Sequence, residues 1–219
     1  MHTHLPTPSK EQIALLDPFE RLDLDRIDLV TTAQQADKAC AALAAATVWG
    51  FDTESKPTFV KDQVSDGPHI VQLATLERAW VFQLHDAGCC ARVSELLALR
   101  GVTKAGFGLG DDRKRISSKL GVDLADVLEL NSIFRQRGYR KDMGVKGAVA
   151  VLFQQRFAKS KKAATSNWAN PQLSVSQLLY AANDAYAAAR VFAALYPPGS
   201  SVTHLAAQGF GDAALRLAF

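Results

Sequence analysis

Four carboxylates in this sequence stand in or beside apolar segments. Asp52 and Glu54 lie in V-W-G-F-D-T-E-S, Asp112 in K-A-G-F-G-L-G-D-D-R-K-R-I, and Asp184 in L-L-Y-A-A-N-D-A-Y, with Tyr180 four positions before it. A buried carboxylate must be paired, protonated or bound to a metal. Four converging carboxylates without matching cations suit a divalent cation, and metal on oxygen ligands points to phosphoryl chemistry. An all-oxygen donor set favours Mg²⁺ or Mn²⁺ over zinc.

Spacing refines this reading. Asp52 and Glu54 are i, i+2 on an expected strand, so both side chains leave one face while Thr53 points the other way. Carboxylates about 7 Å apart on one face repel unless a cation sits between them. A strand end running into solvent would account for the same pattern. Asp112 follows T-K-A-G-F where a helix should begin, and an aspartate there can serve simply as an N-cap. Asp111 competes for that place. Tyr180 and Asp184 are i, i+4 in a long helix, roughly 40° apart around its axis, and share a face among small apolar residues. A polar stripe of Gln177, Asp184 and Arg190 is the plainer account of that helix. The run G-F-G-L-G-D-D imitates a dinucleotide fingerprint, but the third required glycine falls on Asp111.

Other chemistries lack support. His69, His85 and His204 have no metal-type spacing, and no Ser-His-Asp or Cys-His grouping is present. Cys40, Cys89 and Cys90 make neither a zinc pattern nor an ordinary disulfide, which suits a reducing, cytoplasmic setting. No apolar run reaches the roughly 18 residues of a membrane helix, and the first residues hold no signal-like stretch, so neither a membrane nor export is expected.

The net charge is +3, but residues 134–162 hold nine Lys and Arg against the one acid Asp142, a local +8 that leaves −5 for the remainder. A basic segment on a mildly acidic body suggests a polyanionic partner, although a solvated lysine-rich face has the same composition. Within it, Lys159, Lys161 and Lys162 are candidates for contacts to nucleic-acid backbone phosphates.

The elements that must position these residues follow from periodicity. Residues 1–25 read as a loose N-terminal arm with a short helix. Strands are expected at 27–30, 47–53, 69–76, 79–84 and 103–107, with a tight turn at Glu77 and Arg78. Thr31 and Thr32, with Gln34 and Gln35, supply a capping box for an alanine-rich helix. Further helices are expected at 92–100, 112–120, 125–135, 144–153 and 174–195. Strands in succession, then a strand between helices, make a mixed α/β sheet flanked by helices. The expected organisation is one domain over 26–196 and a tail over 197–219, whose A-A-L-R-L-A-F would dock on the body or a partner. That tail leaves a homo-oligomer open.

With those motifs in order, the sequence resembles the DEDD superfamily of 3′–5′ exonucleases, in its tyrosine-containing branch, related to ribonuclease D and the Werner-syndrome exonuclease domain. F-D-T-E matches the first motif, K-A-G-F-G-L-G-D-D-R-K-R-I the second and L-Y-A-A-N-D-A-Y the third. S-N-W at Ser166–Trp168 and the run G-P-H-I-V-Q-L-A-T resemble what the family has between motifs. The resemblance implies a ribonuclease H-like fold and assigns Asp52, Glu54, Asp112 and Asp184 to two divalent metals. Asp52 is the choice for bridging them, and Tyr180 for orienting the attacking water. The family acid of the second motif is followed four residues later by an apolar residue. Ile116 therefore selects Asp112, since Asp111 would have Arg115 there. The implied activity is metal-dependent hydrolysis of single-stranded or frayed DNA or RNA from its 3′ end, releasing nucleoside 5′-monophosphates. The alternative is a catalytically silent nucleic-acid-binding module on the same fold, against which the full set of acids and the tyrosine stands.

Overall fold

A computed structural model describes residues 4–58 and 66–197. The tail beyond Pro197, with its apolar stretch and His204, lies outside the described residues. In chain order the elements are α1 (Lys10–Ala14), β1 (Asp17–Pro18), a 3₁₀ turn (Leu24–Arg26), β2 (Ile27–Val30), α2 (Ala33–Leu43), β3 (Val48–Glu54), β4 (Ile70–Ala74) and β5 (Ala79–Gln83). They continue with α3 (Ala87–Ala98), β6 (Thr103–Gly106), α4 (Gly110–Leu120), β7 (Val127–Glu129), α5 (Leu130–Gln136), α6 (Gly144–Phe153), β8 (Gln155–Arg156), α7 (Lys161–Ala164) and α8 (Val175–Leu195).

Six strands pair in the order β2-β5-β4-β3-β6-β7. The middle three form an antiparallel meander, and β2, β6 and β7 add in parallel, giving the expected mixed sheet. Alternate side chains of the central strands enter two cores. Trp49, Phe51, Val71, Leu73, Trp80 and Phe82 meet α2, α3 and α4 on one face. Ile70, Ala74 and Val81 meet α8 and α6 on the other.

The contact that matters most for the site is between α8 and β3. A Cβ built on Gly50 would stand 1.9 Å from Ala185 O and 2.7 Å from Ala189 N, so only glycine lets the helix backbone rest on the strand. The alanines of α8 serve the same end from the other side, and Ala181, Ala185 and Ala188 are buried in the interface. Ser174 and Gln177 form a reciprocal capping box that fixes where this helix starts.

Four expectations are corrected. The helix expected at 125–135 begins only at Leu130; Val127–Glu129 is an edge strand paired in parallel with β6. Three residues are too few to show a period of two, and pairing overrides the helix propensity of Leu and Glu. Helix α3 begins at Ala87, well before Arg92, because Asp86 caps it through Cys89 N at 2.7 Å. The arm is docked from Asp17 onward. Asp17 and Pro18 pair with Gln155 and Arg156, while Phe19 and Leu22 are buried in the core. Thr32, rather than Thr31, is the cap of α2, with Gln35 as its reciprocal partner.

Candidate active site

Asp52 and Glu54 leave β3 on the face that α8 covers, and α8 delivers Asp184 to them. One carboxylate oxygen from each of the three lies within 4.8 Å of the others. Burial is the main force raising the pKa of Asp52 and Glu54, and the charges of neighbouring carboxylates raise them further. Burial also raises Asp184, against the opposing pull of Lys159 and Tyr180. Asp184 is buried and Asp52 and Glu54 are half-buried; three carboxylates at this spacing repel strongly, and their all-oxygen donor set fits a hard divalent cation. The expected strand face is thus real, and neither acid of β3 runs freely into solvent.

Lys159 does not stand with its basic neighbours. Its Nζ is 2.5 Å from Asp184 Oδ2 and 5.3 Å from the Tyr180 ring centroid, inside the acid cluster. Lys161 and Lys162, two positions on, are exposed on α7. Part of the remaining basic stretch is used within the fold. Arg135 pairs with Asp142, and Arg137 donates to Leu195 O at 3.3 Å.

Tyr180 packs against fully buried Trp168, with ring centroids 5.9 Å apart. Burial and then the Asp184 charge push its phenol above the ordinary tyrosine range, so it carries its proton at neutral pH. A braced, neutral hydroxyl beside a carboxylate cluster can orient a water but is a poor base.

The second motif sits differently. Asp111 and Asp112 are both in the first turn of α4, and neither is its N-cap, a place taken by Leu109 without a side-chain bond. Asp111 faces solvent, 3.7 Å from Lys114 Nζ. Asp112 turns toward the sheet and accepts a short hydrogen bond from the Thr53 hydroxyl, with Ile116 one turn on in the core. It is outside the three-acid group, yet its charge still raises Asp52 and Glu54. Burial raises Asp112 itself, and the Thr53 bond opposes that rise.

Two residues near the acids escaped sequence reasoning. Glu129 accepts from Gly108 N at 3.0 Å, Leu109 N at 2.8 Å and Asn131 N at 3.0 Å. It thereby holds the loop that launches α4 and Asp112. Gln72 is the cross-strand register partner of Asp52 and is fully buried, with neither amide atom hydrogen-bonded among the described residues. A glutamine within the apolar run H-I-V-Q-L was the available signal for it. Glu129 gave none, because the loop amides it holds, those of Gly108 and Leu109, lie about twenty positions away. A cleft of about 410 Å³ opens at the acids, lined by Phe51, Phe107, Asn131 and Met143 along with Asp52, Lys159 and Asp184.

Comparison with known proteins matches this geometry to a family. A family model described as 3′–5′ exonuclease covers residues 27–198, including every candidate acid. A 3′–5′ exonuclease from Arabidopsis thaliana is 27% identical over 148 residues, 67% of this chain and 51% of its own length. The chain therefore spans about half of that relative. The solved EXO domain of Nibbler from Aedes aegypti aligns with a TM-score of 0.69 at 20% identity, covering 85% of this chain and 93% of that one. Ribonuclease D from Escherichia coli aligns at 0.67 and 18% identity, covering 77% of this chain and 44% of that one. Those two likenesses establish the fold, which is ribonuclease H-like. With the family model spanning the sheet, the three clustered acids and Tyr180, the chain belongs to the 3′–5′ exonuclease family.

Proposed function

We propose that the protein is a metal-dependent exonuclease that removes nucleoside 5′-monophosphates from the 3′ end of single-stranded or frayed nucleic acid. The observation that carries this reading is the convergence of Asp52, Glu54 and Asp184 within 4.8 Å on a fold of this family. Two divalent ions, Mg²⁺ or Mn²⁺, would supply an activated water and stabilise the departing 3′-oxygen. Asp52, Glu54 and Asp184 would hold one ion, and Asp112, sharing Asp52, the other.

The chain's own groups do the rest. Tyr180, braced by Trp168, keeps its proton and orients the attacking water. Lys159 lies close enough to Asp184 to offset the carboxylate charge as a phosphate enters. Lys161 and Lys162 are exposed on α7 and would meet backbone phosphates of the incoming strand. None of these contacts reads a base, so cleavage should be sequence-tolerant.

Digestion of a 3′-labelled oligonucleotide tests the proposal. Mg²⁺ or Mn²⁺ should release labelled mononucleotide, and a chelator should stop it. Binding of the strand without metal-dependent release would overturn the enzyme reading in favour of a silent binding module. Matched DNA and RNA oligomers in the same assay identify the substrate class.

A further inference from the structure

A second cleft, of about 420 Å³, shares Asp184 with the first and is lined by Arg21, Ser160, Val175, Ser176, Leu179 and Tyr180 among others. Arg21 precedes the family-matched residues, which begin at 27. It is exposed and makes no hydrogen bond or ion pair with the described residues. Its acidic sequence neighbours Glu20 and Asp23 do not line the cleft.

The segment bearing Arg21 is firmly placed. Leu22 N donates to Asn183 Oδ1 at 2.7 Å, and Asn183 Nδ2 donates back to Leu22 O at 3.1 Å. Asn183 is the residue before Asp184. On the other side, Phe19 N donates to Arg156 O at 3.0 Å, three residues before Lys159. The guanidinium is therefore carried by backbone tied to the two segments that bear Asp184 and Lys159. A guanidinium on fixed backbone, without a partner among the described residues, is well suited to a phosphate. Val175 and Leu179 add apolar surface of the kind on which a base or sugar packs, and the volume suits one nucleotide.

We propose that this cleft binds the penultimate nucleotide of the substrate strand, with Arg21 on the phosphate at its 5′ side. The proposal rests on the exonuclease reading. The 3′-terminal nucleotide leaves with the scissile phosphate, which belongs at the acids, and carries no other backbone phosphate. A phosphate bound in a second cleft must therefore lie on the 5′ side of the bond being cut. An N-terminal segment outside the family-matched region thus helps to bind the strand.

The test is a cycle of one protein change and one substrate change. The full chain and its Arg21→Gln variant are compared on a single-stranded oligonucleotide and on the same strand with a neutral methylphosphonate at the second linkage from the 3′ end. Initial rates are measured with Mn²⁺, and binding is measured by fluorescence anisotropy in chelator. Either change alone should weaken KM and binding about tenfold, with kcat held within about twofold, as for loss of one charge-assisted contact made equally in ground and transition states. The second change should then add little, because both remove the same contact. Arg21→Lys should recover part of the loss, and Arg100→Gln, an exposed charge elsewhere, should lose none. Unchanged KM and binding in Arg21→Gln, or fully additive effects, would overturn the proposal. A wild-type chain that binds with this coupling but releases no nucleotide would instead sink the exonuclease reading.

Discussion

The two sides of strand β3 hold their acids in opposite ways. On the α8 side, Asp52, Glu54 and Asp184 are gathered by backbone lying on backbone, since Gly50 admits Ala185 O where any side chain would collide. On the α4 side, Asp112 is carried by an exposed helix turn, tied to Thr53 and steadied at one remove by Glu129. The first arrangement is built into the core and cannot shift without cost. The second depends on a few hydrogen bonds at a loop. A site that must grip metal yet admit and release strands has use for both.

The contrast breaks most completely at Gly50. Gly50→Val puts carbons into the α8 backbone, and should cost more than about 3 kcal/mol of stability and abolish activity. Chemical denaturation with an activity assay on the surviving folded fraction checks this.

Asp52→Asn should instead separate stability from function. Turnover should fall more than about 100-fold, beyond the loss from removing an outer support of a metal ligand. The melting temperature in chelator should stay level or rise, because a repelling carboxylate is gone. The same repulsion sets a pH dependence. Burial and like charge raise Asp52 and Glu54 in the folded state, so their contribution to stability is full below the unfolded values and is lost as pH rises through the folded ones. Wild-type melting temperature in chelator should accordingly decline from about pH 4 upward through neutrality. Saturating Mn²⁺ should flatten that decline, and a rise with pH in chelator would contradict the electrostatic account.

Tyr180→Phe keeps the packing on Trp168 but removes the hydroxyl. Mn²⁺ affinity should be retained while kcat drops by roughly 100-fold, at the low end of the range for a positioned proton-handling group. Unchanged kcat would remove Tyr180 from the mechanism. Glu129→Gln should have the smallest effect, about tenfold in activity, with the Asp52–Glu54–Asp184 group undisturbed. If it impaired metal binding at those three as severely as Asp52→Asn, the two sides of β3 would not be separable.

Much of the site was legible because its pieces are local. F-D-T-E shows its shared strand face through a period of two, and Y-A-A-N-D shows its helix face through a spacing of four. Ile116 favoured Asp112 over Asp111, and Asp112 is the one turned to the sheet. What stayed hidden is what the fold brings from afar. Lys159 belongs by sequence to a basic surface run, and only the docking of α8 shows it beside Asp184. The strand Val127–Glu129 is too short for a period and exists because β6 offers an edge. The Leu22–Asn183 clamp joins positions 161 apart, so residues that read as a loose arm become part of the site's frame.

Anomalous scattering from crystals soaked in Mn²⁺ tests the metal site itself. Metal held by the carboxylates of Asp52, Glu54 and Asp184 should give a peak among them in the wild-type chain, and that peak should be lost in Asp52→Asn. Mn²⁺ bound elsewhere, or a peak that persists unchanged without the Asp52 carboxylate, would contradict that assignment.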